Sequence, residues 1–525
     1  MASQGDVVVA NGEFKQYEGH TTVYVVLACF LASFSGLMFG YDVGITDDYF
    51  SQLTHMFGGV AQMNDFLEKF FPVVVVNKEL EYESGKGNLY CQYNNQQLQA
   101  YISSLYLVGF ASTLVAAPIT RLYGRKTSIL IAGISFLIGV VLKTSAQNLA
   151  MLVLGRVLYG WGLGFSNQAA PLYISEVAPF KWRGRLTYLF QLSLSIGAFC
   201  ATMINYGTSR LVPNGWRISL GLAGIPAIII TISGIILSDT PNNLVHRGKQ
   251  EAGRKVLEKM RGITNVDIEF EDILIASNQR SARGSNSFKN VWKGKSRPPL
   301  IVSCIFQIFN QFTGINDLTL YSPVLFSTLG FKSGGALFTA TVLTGLSIFS
   351  VLVGLSLIDK VGRKALLIEG NVQMFLSTVA IAIILRYGLQ DEVRLSHSLA
   401  IILVVFICLF VMGWAWSWGP CEWLIPSEIF PLETRSAGLS IGVSVNFLFC
   451  FVIIESFLTM LCSLKWGLFL FFAVWNFFMP FFVFLYVPET KGVPIEEMEL
   501  VWRRHWFWKR FMPVDNYIDN FPEKP

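Results

Sequence analysis

The chain has 525 residues, of which 53% are hydrophobic and only 14% charged, and its mean hydropathy is +0.49. Soluble domains carry about 25% charged residues, so this composition excludes a soluble globular protein and describes one that crosses a membrane repeatedly. The formal net charge of +5 says less than the way charge is distributed along the chain.

Residues 1–22 are polar and include Asp6, Glu13 and Glu18, and the apolar run that follows is long enough to span, so no cleavable signal is expected. Twelve apolar runs of spanning length begin near Val23, Gln99, Ser128, Ala150, Thr187, Ile218, Pro299, Ala336, Ala365, Ser398, Ala437 and Trp466. An even number places both termini on one side. The N-terminal segment, the even-numbered loops and the tail hold 29 of the 40 Lys and Arg residues, against 10 on the other side. Positive loops stay cytosolic, so both termini are expected in the cytosol. No P-loop, metal-spaced Cys/His cluster, Ser/His/Asp signature or glycosylation sequon is present. An enzyme, a cofactor and a metal site are therefore not expected, nor is transport driven by ATP.

The halves repeat. "SEVAPFKWR" (Ser175 to Arg183) and "SEIFPLETR" (Ser427 to Arg435) share Ser-Glu-x-x-Pro-x-x-x-Arg, and "YGRK" and "VGRK" follow spans 2 and 8. A duplicated six-span unit predicts two bundles with a site at their interface near the midplane. The expected organisation is a segment 1–22, a six-helix bundle 23–238 with an outer lid segment 46–97, a helical linker 239–297, a second bundle 298–487 and a tail 488–525.

Span 1 carries an acid, Asp42, and two more, Asp47 and Asp48, follow it. A carboxylate in a bilayer costs several kcal/mol unless it is paired, wet or protonated. Span 4 offers Arg156, also deep in an apolar run. A nearby guanidinium favours the charged carboxylate, and separation or burial favours the neutral one. That is the switch a proton-coupled carrier needs, with Asp42 as proton site and Arg156 as partner. The alternative is a static ion pair holding spans 1 and 4 together.

These residues resemble the sugar-porter branch of the major facilitator superfamily, and within it the plant sugar transport proteins, which are monosaccharide–proton symporters. The carriers of the resemblance are "GLMFGYDVGI", "GRVLYGWGLGF", "PLYISEVAPFKWRG", "QFTGIN", "GWAWSWGP", "WLIPSEIFPLETRSAG" and "VPETKG", which together reach across nearly the whole chain. It implies an all-α polytopic fold of twelve transmembrane helices in two six-helix bundles, importing hexose across the plasma membrane with a proton. The implied partners are a monosaccharide, the proton and the lipid bilayer, with no nucleic acid, and the working unit is expected to be a monomer.

Sugar hydroxyls need dense donors and acceptors and an aromatic or aliphatic face for the ring. Gln191 is a lone amide in span 5, Asn310, Gln311 and Asn316 lie in span 7, Trp423 in span 10 and Asn446 in span 11. The resemblance places all six at sugar-contacting positions; taken singly, each amide is as well explained by an interhelical hydrogen bond. Gln311 and Asn316 are separated by about 140° on a helical wheel, so one is expected to point less directly inward. Trp414, Trp416 and Trp418 are read as packing residues. Arg121, Arg125, Glu176 and Arg183, with Asp359, Arg363, Glu428 and Arg435, are read as a cytosolic gate, an inter-bundle charge network that latches one state. Thr120 stands where the repeat has Asp359.

Six of the eight cysteines lie in spans and read as small apolar residues. Cys91 and Cys462 both face the exterior on this topology. The resemblance suggests that they pair; two free thiols are the alternative. The "VWRRHWFWKRF" stretch (Val501 to Phe511) suits either the anionic inner leaflet or a solvated tail.

The family pattern breaks in five places. Thr46, Asp47 and Asp48 stand where Ser-Gly-Gly is usual, Glu422 where Gly or Pro is usual, Asp317 where a small or apolar residue is usual, Glu455 where an uncharged amide is usual, and span 8 lacks an Asn. These changes keep open a uniporter and a non-transporting sugar receptor beside the symporter.

Overall fold

A computed structural model describes residues 20–46, 63–73, 96–208, 213–282, 287–316, 335–388 and 397–512, with positions 60, 211 and 318. Every regular element among them is helical. Span 1 is Val23–Thr46, span 2 Gln96–Tyr123, span 3 Arg125–Thr144, span 4 Leu149–Val177 and span 5 Arg183–Thr208. Span 6 breaks at Ala223 into Gly215–Leu222 and Gly224–Ile236. Span 7 opens as Arg297–Phe312, span 8 is Gly335–Val361 and span 9 Arg363–Gly388. Span 10 breaks at Ser417 into His397–Trp416 and Trp418–Ile429; span 11 is Arg435–Leu464 and span 12 Gly467–Tyr486. Eleven of these are long and apolar enough to cross a membrane; the described helix of span 7 has 16 residues.

Spans 3, 5, 7, 9 and 11 each open on an arginine, two to four residues before their apolar run. Hydropathy stops at a charge, but the helix does not. Arg125, Arg183, Arg363 and Arg435 are buried, so their charges are met by protein rather than water.

Two stripes of small residues bring helices into backbone contact. On span 1, Gly36, Gly40 and Gly44 recur every fourth residue and share one face. A Cβ added at each would lie 2.4, 1.8 and 2.6 Å from the carbonyl oxygens of Phe190, Leu194 and Ala198 on span 5. Asp42 follows Gly40 by two residues, about 200° around the helix, so it looks away from span 5. On span 11, the hydroxyls of Ser436, Ser440 and Ser444 donate to the carbonyls of Ala117, Thr113 and Phe110 on span 2, at 3.2, 2.6 and 3.4 Å. This stripe joins the two halves.

Between spans 6 and 7 the described residues form the α-helices Pro241–His246, Gln250–Arg261, Asp267–Ala282 and Ser287–Val291 and a 3-10 turn, Gly294–Ser296. Two indoles of the basic aromatic tail pack onto the bundle. Trp502 is fully buried and donates Nε1 to the carbonyl of Ile429 at 3.0 Å; Trp508 donates to Tyr486 at 2.7 Å. They cap carbonyls left free at the ends of spans 10 and 12, while Trp506 and Phe511 stay exposed.

Candidate functional site

A cavity of about 170 Å³ lies between the two halves, with room for one small polar solute. All six residues expected to contact sugar line it: Gln191, Asn310, Gln311, Asn316, Trp423 and Asn446. Span 7 brings Gln311 and Asn316 to the same wall because its helix ends at Phe312, so the wheel angle between them no longer applies. Asn316 donates to the Gln311 side-chain oxygen at 2.8 Å. Across the cavity, Gln191 is 1% exposed and, among the described residues, neither atom of its amide has a hydrogen-bond partner. The Trp423 indole N–H is likewise buried and, among the described residues, unpartnered. Buried polar groups left so cost free energy, and a hydroxylated solute is what would satisfy them. Span 8 contributes Leu343, Thr344 and Ser347 and no amide.

Two lining residues fell outside the sequence expectation. Trp414, read as a packing residue, lines the cavity and donates Nε1 to Asn310 Oδ1 at 3.0 Å. Glu422, noted only as a departure, lies in the cavity wall, 5% exposed, and accepts from the amides of Asn310 and Asn446. The signal for both was there: they flank the break at Ser417, and broken helices line cavities.

On span 1, Phe39, Val43 and Gly44 line the same cavity, while Asp42 faces spans 3 and 4. Asp42 and Arg156 are brought together, Nη1 to Oδ2 at 3.7 Å. A closer cation was missed: Lys143 Nζ is 3.0 Å from Asp42 Oδ1. A lysine in the last turn of a span normally reaches for the headgroups; here it turns inward to the acid and lies over the Tyr159 ring at 3.7 Å. Arg156 also donates to the carbonyl of Ile102 at 2.8 Å and lies over Tyr101 at 4.6 Å. The three charged side chains are at most 2% exposed. The helix Asn64–Phe70 packs beside them: Phe66 and the following Phe71 lie against Tyr101 with tilted rings, centroids 6.4 and 5.9 Å apart.

The charged motifs of the basic face form two copies of one arrangement. Arg125 pairs with Glu176 at 2.7 Å, Thr240 donates to Glu176 at 2.6 Å, and Asp239 accepts from the Arg125 backbone N–H at 3.0 Å. In the second half, Arg363 pairs with Glu428 at 3.0 Å, Thr490 donates to Glu428 at 2.6 Å, and Glu489 accepts from the Arg363 N–H at 3.1 Å. Burial pushes the Asp239 carboxyl above its ordinary range, against the pull of Arg125. Gly124 and Gly362 have φ of +101° and +103°, and a side chain at either would collide with Asp239 or Glu489. The glycine of each GRK motif thus lets an acid close on the helix N-terminus.

Both glutamates therefore find their arginine within their own half, not across the bundles as the sequence reading had it. The missed partners are the acid–threonine pairs Asp239–Thr240 and Glu489–Thr490, visible as a repeat after spans 6 and 12. Contacts between halves on this face include Arg185 with Asp359, whose Oδ2 accepts the Arg185 backbone N–H at 3.0 Å, Arg183 donating to Val493 O at 3.0 Å, and the opposite charges of Arg121 and Glu433. Asp359 also holds Arg363 at 3.1 Å. Arg435 donates to Phe430 O at 3.1 Å, and the Arg121 carbonyl accepts from Asn243. Thr120 takes the place of an acid with a neutral chain of bonds: it donates to Gln168, which donates to Ser436 in the other half. Near the opposite face, Glu455 accepts from Ser103 at 2.8 Å, tying span 11 to span 2. Cys91, Asp47, Asp48 and Asp317 lie outside the described residues. The free cysteines among the described residues are Cys29, Cys200, Cys304, Cys408, Cys421 and Cys450.

A repeated bundle of membrane helices around one central polar cavity is the arrangement of a secondary carrier of the major facilitator fold. Solved structures share it: the proton:xylose symporter XylE bound to 6-bromo-6-deoxy-D-glucose superposes with a TM-score of 0.75, at 23% identity, over 92% of this chain and 100% of that one. Residues 28–502 match the family described as Sugar (and other) transporter, and the chain belongs to that family. It is 49% identical to Sugar transport protein 7 of Arabidopsis thaliana, over 97% of this chain and 96% of that protein. Sugar transport protein MST4 of Oryza sativa subsp. japonica is also 49% identical, over 96% and 95%.

Proposed function

We propose that this protein imports a monosaccharide, a hexose in the first instance, together with a proton, by alternating access. The observation that carries the reading is one helix serving two sites. Phe39 and Val43 of span 1 line the cavity where Gln191 and Trp423 hold unsatisfied polar groups, and Asp42 between them faces Lys143 and Arg156. A solute that moves span 1 alters the distance from Asp42 to its cations, and with it the acid's hold on a proton. Asp42 is the proton site, Arg156 its partner, and the six cavity residues are the sugar contacts.

The working organisation follows. Two six-helix bundles, 23–238 and 298–487, rock about the cavity; the linker 239–297 joins them. The paired Arg–Glu–acid–Thr clusters and the Arg185–Asp359 contact hold the basic face shut while the cavity opens to the other side. That basic face is cytosolic and carries both termini, a reading that the distribution of Lys and Arg supports. The protein works as a monomer in the plasma membrane. A Cys91–Cys462 bridge ties the lid segment 46–97 to span 11 and shields Asp42 from bulk water.

Labelled hexose uptake into cells lacking their own carriers tests this. Accumulation against a gradient, abolished by a protonophore, is expected. D42N should still exchange sugar across the membrane but lose proton-driven accumulation. Equilibration without accumulation in the unsubstituted protein would mean a uniporter, and binding without flux a receptor.

A further inference from the structure

The carboxyl group of Glu422 has no counterpart in the symport scheme. Its surroundings fix which of its forms they suit. The Trp414 indole only donates, and it donates to Asn310 Oδ1 at 3.0 Å, so the Asn310 NH2 is the end turned to Glu422 Oε2. Gln307 donates its NH2 to the backbone carbonyl of Glu422 at 2.9 Å. Its side-chain oxygen is therefore the end turned to Asn446, whose NH2 it accepts at 2.8 Å. The same NH2 reaches Glu422 Oε1. Among the described residues, each carboxyl oxygen thus faces an N–H donor and neither is in hydrogen-bonding contact with an acceptor. These contacts suit a carboxylate.

That carboxylate lies in the cavity wall, 5% exposed. Among the described residues no Lys, Arg or His lies within 4.0 Å of it, and its hydrogen bonds come from neutral amides only. A buried, uncompensated charge is costly, and paired charges are the rule. A cation arriving through the cavity that Glu422 lines would compensate that charge. The remaining unsatisfied groups across that cavity, the Gln191 amide and the Trp423 N–H, call for hydroxyls.

We infer that Glu422 is the counter-ion for a protonated amine on a polyhydroxylated solute, so that the cavity selects an amino sugar over a neutral hexose. The inference rests on the transport reading above and names its substrate class. Asn310 and Asn446 each turn their NH2 to the carboxylate, so as sugar contacts they offer less to a neutral hydroxyl, which weakens hexose binding. An ammonium recovers that loss as a charge-assisted hydrogen bond in a water-poor site.

The test uses the full-length protein, first in transport-deficient cells and then purified, with glucosamine, glucose and N-acetylglucosamine as probes, below the pKa of the amine. In the unsubstituted protein, glucosamine should compete with labelled substrate at least about tenfold better than glucose or the neutral N-acetyl compound. E422Q, close in shape, and E422G, which removes the side chain, should each erase that preference. A glucosamine affinity no better than that of the neutral sugars, or a preference surviving both variants, overturns the inference. So does a variant that shifts only the proton or sodium dependence of hexose uptake, since Glu422 would then serve a proton or an inorganic ion. Hexose uptake without amine preference sinks this inference alone. Equilibrium binding of labelled glucosamine without flux of any sugar sinks the transport reading and supports this one.

Discussion

Asp42 shares its charge between Lys143 at 3.0 Å and Arg156 at 3.7 Å, with all three side chains almost fully buried. Removing Asp42 leaves two buried cations with no acid between them, which costs as much as about 3–5 kcal/mol. D42N should therefore lower the thermal stability of the purified protein, and K143M placed on top of it should recover part of the loss. Melting curves of the two singles and the double in detergent measure this; a double variant no more stable than D42N would mean that Lys143 and Asp42 are not coupled. At this scale the acid was legible in the sequence because a charge inside an apolar run is rare and conspicuous. Its nearer partner was not. A lysine at the end of a span reads as reaching for the headgroups, and only the direction of its side chain distinguishes the two cases. Glu422 was visible as an oddity, but its wiring depends on Trp414, Gln307, Asn310 and Asn446, which come from three different spans.

Among the elements, span 1 matters most, because its glycine stripe sets the direction in which Asp42 faces. A Cβ at Gly40 would lie 1.8 Å from the Leu194 carbonyl oxygen, so G40A must push spans 1 and 5 apart, at a cost of about 1–3 kcal/mol. Proton-driven accumulation should fall with stability, since Asp42 moves with the helix. Gly207, near the end of span 5, has nothing among the described residues within 4 Å of the point a Cβ would occupy, and G207A should leave the melting temperature unchanged or slightly raised. Equal losses in the two variants would remove the argument from close packing. The starts of the twelve spans were legible to within four residues, and the misses at spans 3, 5, 9 and 11 share one cause: those helices open on buried arginines, which hydropathy excludes and hydrogen bonds and ion pairs admit.

Across the whole molecule, the linker and the tail are held together by Lys295 and Glu499, Nζ to Oε2 at 2.6 Å. Burial alone would push Glu499 upward, but the hydrogen bonds and charges of Lys295 and Arg503 outweigh it and hold the acid below its ordinary value of 4.5. A depressed carboxyl adds stability that is complete above its unfolded value and is lost as pH falls through the folded one. The stability difference between the unsubstituted protein and E499Q should therefore be full at neutral pH and close below about 4.5. Melting both proteins across that range checks it; a gap that persists in acid would show that the bridge contributes nothing.

Length, hydropathy and the rare polar residues were enough to establish the class of protein, the twelve spans and the duplicated halves, and the family resemblance pointed to the six amide and indole residues of the cavity. Apolar runs and charges within them are costly locally, so they show in the one-dimensional chain. The partner of each charge was decided in three dimensions. Glu176 takes Arg125, 51 positions away on another helix, rather than the Arg183 of its own motif, and the tail indoles cap carbonyls of spans 10 and 12. Such pairings depend on which helix faces which, and helices distant in sequence meet only after packing has chosen their neighbours.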